Sequence, residues 1–184
     1  MEKFSHLFVF IAFLAVTLLS GCASQFSKEE ISPAGLNAMR KNSATVLLSV
    51  TGGGKNDMTS GGTFGAFGVD NQTLQDAIAD SITKSGLFSR VVMVGNADYQ
   101  LDVLVVLLKA PEGGGLTLTS SARMIWTLTR LQDRKQVFQD EIITEDSKTF
   151  GDYMVATTRA RAAVAGSVRK NIQEAIEQIS KTQF

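Results

Sequence analysis

Thr117-Leu-Thr-Ser-Ser-Ala-Arg-Met-Ile-Trp-Thr-Leu-Thr129 carries the pattern from which the fold is read. Leu118, Ala122, Met124, Trp126 and Leu128 share one side, and Thr117, Thr119, Ser121, Arg123, Thr127 and Thr129 share the other. Successive side chains of a strand point to opposite faces, so this alternation predicts a strand with one buried and one solvated face. Such a sheet needs a second layer on its apolar side only.

Working outward, Asp133-Arg134 marks a tight turn into a last strand over about 136–146. Upstream, Pro111-Glu-Gly-Gly-Gly115 turns the chain out of a strand over 99–108. That strand alternates at first, then becomes apolar on both faces from Val103 onward, which suggests a central position. Shorter strands are predicted at 44–51 and 90–94. Between these two, Asp70 stands as an N-cap, with Val69 and Leu74 as a hydrophobic staple. Leu74, Ala77, Ile78, Ser81, Ile82 and Ser85 lie on one helical face, and Gly86 closes the helix. A second, longer helix spans 155–179, with Ala160, Val164, Val168, Ile172 and Ile176 in its apolar stripe. The order β-α-β-β-β-β-α predicts an α+β two-layer sandwich, a mostly antiparallel sheet with two helices on one face, as a single domain over 44–184.

Three stretches carry a family resemblance. The helix end Ser85-Gly86-Leu87-Phe88-Ser89-Arg90-Val91, the segment Ala97-Asp98-Tyr99-Gln100-Leu101 and the Ala/Val-rich terminal helix are similar to small outer-membrane lipoproteins. The chain resembles the YajG-like lipoproteins and the ABC-type transport auxiliary (PqiC-like) lipoproteins over roughly 44–181. That resemblance implies an accessory or binding role in envelope maintenance or lipid transport, and it maps no catalytic residue onto this chain.

The first 21 residues have a composition of their own. Lys3 supplies a short positive region, and Leu7 to Leu19 runs without a charge. Thirteen residues of helix would cover roughly 20 Å, against about 30 Å of bilayer hydrocarbon, so the run reads as the apolar core of a signal peptide. It ends in Leu19-Ser20-Gly21-Cys22-Ala23, which resembles the lipobox of bacterial lipoproteins: an aliphatic residue, two small residues, then the acylated cysteine. Cys22 is the only cysteine of the chain, so it has no intramolecular disulfide partner. The lipoprotein modification adds two or three acyl chains, enough for lasting anchorage where one chain is marginal. Ala23 after the cysteine, in place of Asp, implies by the same resemblance an outer-membrane protein facing the periplasm. Residues 22–43, with Ser32-Pro33 as N-cap and first turn of a short helix, read as a tether that would reach at most about 75 Å.

Removing residues 1–21 takes one of the 18 basic residues, one of the 18 acidic residues and the only histidine, so the remainder is neutral. Neutrality argues against nucleic acid as a partner, because such binding rests on clustered Lys and Arg. Without an imidazole, and with its thiol committed to lipid, the mature chain has no Ser-His-Asp or Cys-His machinery. A metal site would have to be built from carboxylates alone, which is unusual for zinc. No cofactor is implied. The expected partners are the membrane, through Cys22, and another envelope protein. An enzyme acting on lipid or cell-wall glycan through carboxylates or a lone serine is the alternative.

Four features could carry chemistry or binding. Gly52-Gly53-Gly54-Lys55 follows a strand, but Ser49 stands where a P-loop has its first glycine and Asn56 where it has Ser or Thr. Phe64 and Phe67 sit among glycines in Gly62-Thr-Phe-Gly-Ala-Phe-Gly68, a candidate partner-binding loop or a plain connection. Ser-x-x-Lys occurs at Ser81–Lys84 and Ser167–Lys170 without the companion motifs of serine acyl-enzymes. Asp140-Glu141 and Glu145-Asp146 are acidic pairs on the last strand, read as solvated or edge-protecting. Trp126 is read as core.

Overall fold

A computed structural model of the chain describes residues 26–52, 68–111 and 115–183. Within them lie five strands: β1 Asn42–Thr51, β2 Phe88–Val92, β3 Tyr99–Lys109, β4 Thr117–Arg130 and β5 Lys135–Thr149. Three helices accompany them: α1 Lys28–Ile31, α2 Asn71–Ser85 and α3 Ala156–Lys181.

The strands form one sheet in the order β2-β1-β3-β4-β5. β1 pairs in parallel with β2 and β3, while β3–β4 and β4–β5 are antiparallel hairpins with much longer ladders. Parallel pairing requires a crossover, and α2 supplies the one between β1 and β2. The result is the α+β two-layer sandwich that the order of elements predicts. The inward residues of β4, with Trp126 fully buried among them, form one core with Ile78 and Ile82 of α2 and Val164, Val168 and Ile172 of α3.

Local chemistry explains the boundaries. Asp70 caps α2 by accepting from the Thr73 N–H at 2.8 Å and from the Thr73 hydroxyl at 2.8 Å. Val69 and Leu74 are both buried as a staple requires, and Gly86 ends the helix with φ 73°. Arg134 takes the left-handed backbone of the β4–β5 turn, with Asp133 accepting from the Lys135 N–H. Asp98 locks the start of the β1–β3 pair: its carboxylate accepts from the Thr45 N–H at 2.7 Å, and its own N–H donates to the Thr45 carbonyl. The Ala97-Asp98-Tyr99 stretch is thus a structural clasp.

Three expectations are corrected. β3 is central in the sheet, but its second half is not buried on both faces. Alternation leaves Leu104 and Val106 exposed, and a bulge that places Val105 opposite Met124 and Leu107 opposite Arg123 exposes Leu107 as well and turns Leu108 inward. The short first helix does not begin at Ser32-Pro33; Ser32 ends it. Its start is a capping box in which the Ser27 hydroxyl accepts from the Glu30 N–H and Glu30 accepts from the Ser27 N–H at 2.8 Å. Finally, residues 22–43 are not all tether. Phe26, Ile31 and Ala38 belong to the main hydrophobic core, so the compact domain includes the chain from Phe26 onward.

Candidate functional site

One face of the sheet is covered by α2 and α3, and the other is open. On that open face Leu104 pairs across to Ile125, and Ile125 to Glu141; in the next row Leu107 pairs to Arg123, and Arg123 to Ile143. Leu104, Val106, Leu107 and Ile143 are exposed, so three adjacent strands present an apolar patch to solvent. An ion pair runs diagonally through it. Arg123 donates to Glu141 from Nε at 2.6 Å and from Nη2 at 3.0 Å. Two parallel bonds of this kind fix the relative orientation of the two side chains. They hold the Glu141 carboxyl below its ordinary range and raise the Arg123 guanidinium. A rigid polar centre ringed by aliphatic side chains is suited to recognising a partner surface that offers both kinds of contact.

The acidic pairs on β5 divide between the two faces. Asp140, Glu141 and Glu145 are exposed on what is an edge strand, in keeping with edge protection. Asp146 instead points inward against α3 and is buried. Its Oδ2 lies 2.7 Å from Lys148 Nζ and its Oδ1 lies 2.8 Å from Lys170 Nζ. Burial raises its pKa, and the hydrogen bonds from Lys148 and Lys170 outweigh that, so its carboxyl stays below its ordinary range. The carboxylate sits directly over Gly166, where a Cβ would overlap it.

Neither Ser-x-x-Lys pair assembles a nucleophile and a base. Ser81 is buried and donates to the Ala77 carbonyl at 2.6 Å, while Lys84 pairs with Asp80 at 2.6 Å. Ser167 is buried, donates to the Val164 carbonyl at 2.9 Å and lies 3.2 Å from the Ser120 hydroxyl; Lys170 is held by Asp146. Trp126 stands in the core as expected, its indole N–H donating to Asn171 Oδ1 at 2.9 Å. Asn171 in turn donates to the Ile142 carbonyl at 2.8 Å, tying α3 to the β4–β5 hairpin.

The Gly-rich stretch enters the described structure only at its ends. Gly52 has φ 82°, and a Cβ there would overlap the Val105 carbonyl oxygen, so glycine is required by the close approach of β1 to β3. Phe64 and Phe67, the candidate binding residues, and Cys22, the candidate lipidation site, lie outside the described residues. Among the described residues no cluster of His, Cys, Asp and Glu could hold a metal ion, and no helix is long and apolar enough to cross a membrane.

Sequence reasoning placed Arg123 on the solvated face of β4 but missed the apolar patch around it. The signal was the run Val103-Leu-Val-Val-Leu-Leu108, whose surplus of apolar residues reads equally as double burial or as an exposed patch.

No protein-family model matches the chain. No curated protein matches it either. Among solved structures, the fold is similar to that of a DUF330 protein from Xanthomonas campestris, which is 13% identical with a TM-score of 0.58 and covers 82% of this chain and 91% of that one. A putative lipoprotein from Caulobacter crescentus is 11% identical with a TM-score of 0.42, covering 73% of this chain and 88% of its own. A minor lipoprotein from Acinetobacter baumannii is also 11% identical, with a TM-score of 0.41 and coverage of 76% and 96%. The first of these likenesses shows a shared fold.

Proposed function

We propose that this chain is an envelope lipoprotein, exported, acylated on Cys22 and held on the outer membrane facing the periplasm. Its α+β domain acts there as a non-catalytic binding or accessory module. The resemblance to YajG-like and PqiC-like lipoproteins points toward envelope maintenance or lipid transport. The lipobox Leu19-Ser20-Gly21-Cys22 supports the anchor.

The observation that carries the binding role is the open sheet face, where Leu104, Leu107 and Ile143 surround the Arg123–Glu141 pair. Leaving such side chains in water forgoes burial worth about 25 cal/mol per Å² of apolar area, which a partner would recover. The binding reading is further supported by the serines of both Ser-x-x-Lys pairs, whose hydroxyls are spent on main-chain carbonyls.

In-cell photocrosslinking from Leu104 and from Ile143 tests this. The same protein adduct should form from both positions and disappear when Leu107→Lys is added, with the urea midpoint unchanged. No adduct from either position would contradict the reading.

A further inference from the structure

A second exposed apolar group lies at one end of the domain. Leu116 precedes β4, and Phe150, Tyr153, Met154 and Val155 belong to the connection from β5 to α3. Thr117 pairs with Thr149, so both segments meet at the same end of the β4–β5 hairpin. Met154 is 77% exposed and Leu116 74%, and the other three are all above 40%. The rim is a turn held by its own hydrogen bonds, the Asp152 and Tyr153 N–H groups both donating to the Thr149 carbonyl. Arg159, itself buried, donates to the Tyr153 carbonyl at 2.8 Å, the Met154 carbonyl at 3.0 Å and the Gly115 carbonyl at 3.3 Å. Its guanidinium also lies over the Phe150 ring, 5.5 Å from the centroid. The acid of this segment, Asp152, turns back to accept from the Thr149 N–H at 2.7 Å and from the Thr149 hydroxyl at 2.9 Å. Much of the polar backbone here is thus bonded from within while the apolar side chains are left outside.

The position of the anchor says what covers them. Phe26 is fixed against α3, with the Arg161 guanidinium 4.4 Å from its ring centroid, and Arg161 is bound in turn by Glu30. Arg159 and Arg161 are separated by only about 3 Å along the helix axis. Arg161 is only about 8 Å along the axis from the first residue of α3, so Phe26 lies near the N-terminal end of that helix, the end from which the rim leads in. Cys22 is four residues before Phe26, hence at most about 14 Å from it. α3 has 26 residues and is about 39 Å long, so the opposite end of the domain, at the Leu131–Arg134 turn, is beyond that tether. The flank beside α1 is within reach but carries Lys28, Glu29, Asp80 and Lys84.

We infer that the end formed by Leu116, Phe150, Tyr153, Met154 and Val155 rests on the lipid surface to which Cys22 is attached. The inference rests on acylation of Cys22. The acyl chains supply retention, and the rim sets orientation: the strands stand away from the bilayer, and the open sheet face points sideways toward other envelope proteins.

The test uses the full lipidated chain in vesicles of phosphatidylethanolamine and phosphatidylglycerol. An environment-sensitive fluorophore is placed at Met154→Cys or, as the far-end comparison, at Gln132→Cys. Lipids brominated on their acyl chains should quench the Met154 probe several-fold more than the Gln132 probe. Equal quenching at the two positions, on a sample whose intact mass shows diacylglyceryl on Cys22, overturns the orientation while leaving anchorage standing. A Met154 probe that is not quenched by lipid but whose emission shifts as the protein density on the vesicle rises assigns the rim to self-association and likewise overturns it. A sample with an unmodified Cys22 thiol overturns the anchorage reading and this inference together.

Discussion

Asp146 and Gly166 form a contact in which a charged side chain occupies the space that every other residue type would fill with its own Cβ. The carboxylate is held by Lys148 and Lys170, so it cannot swing away without breaking both bonds. Gly166→Ala is therefore expected to destabilise the fold by about 1–3 kcal/mol, the range for overpacking a tight site. Urea denaturation measures it, and adding Asp146→Ala should recover part of the loss. Glu30 gives a pH-dependent counterpart. Its hydrogen bond from Arg161 is the largest influence on a carboxyl held down from 4.5 to about 2. A carboxylate with a lowered folded pKa stabilises fully above its unfolded value and loses that contribution as pH falls toward its folded one. Wild type and Glu30→Gln should thus differ most above pH 4.5 and converge toward pH 2. Urea midpoints that stay parallel across that range would contradict this. Neither residue was marked as special in the sequence. Asp146 read as one of four surface acids because its inward turn depends on a glycine twenty positions later. Glu30 did sit in a legible Ser-x-x-Glu capping box, but within a segment whose polar composition reads as tether.

Among the elements, those with complete local signals were legible. α2 carries a cap, a staple, a periodic apolar stripe and a terminal glycine, and its buried residues are the six that the periodicity named. β4 was equally clear because one face is buried along its whole length. β3 was only half legible, since a bulge is a pairing event between two strands and changes which residues face the core without altering composition. The joint between α3 and the sheet was also hidden, because Asn171 falls beside a mainly apolar helical stripe and nothing in its spacing marks it as buried. Its side chain accepts from Trp126 and donates to the Ile142 carbonyl in a fully buried setting. Asn171→Leu would leave the indole N–H without that acceptor, and a buried donor left unpaired costs about 1–3 kcal/mol. Thermal and urea unfolding should both report the loss, and a stability unchanged within a few tenths of a kcal/mol would show that the joint is not coupled to folding.

For the molecule as a whole, the decisive structural change to the sequence reading is the shortened tether. Composition suggested a domain free to stand well off its membrane. Burial of Phe26, Ile31 and Ala38 instead brings the domain to within four residues of Cys22. The α+β sandwich was readable because its strands and helices are locally periodic, whereas this boundary was not, because three separated apolar residues make no pattern. On the proposed reading, a close anchor, an apolar end and an open lateral face would let the module meet lipid at one surface and a partner at another. The anchor and the orientation in that description depend on Cys22. The most direct measurement is the mass of the N-terminal peptide of the mature protein from envelope membranes. The expected peptide begins at Cys22 and carries a thioether-linked diacylglycerol; a peptide that retains the residues before Cys22, or a free thiol at that position, would contradict it.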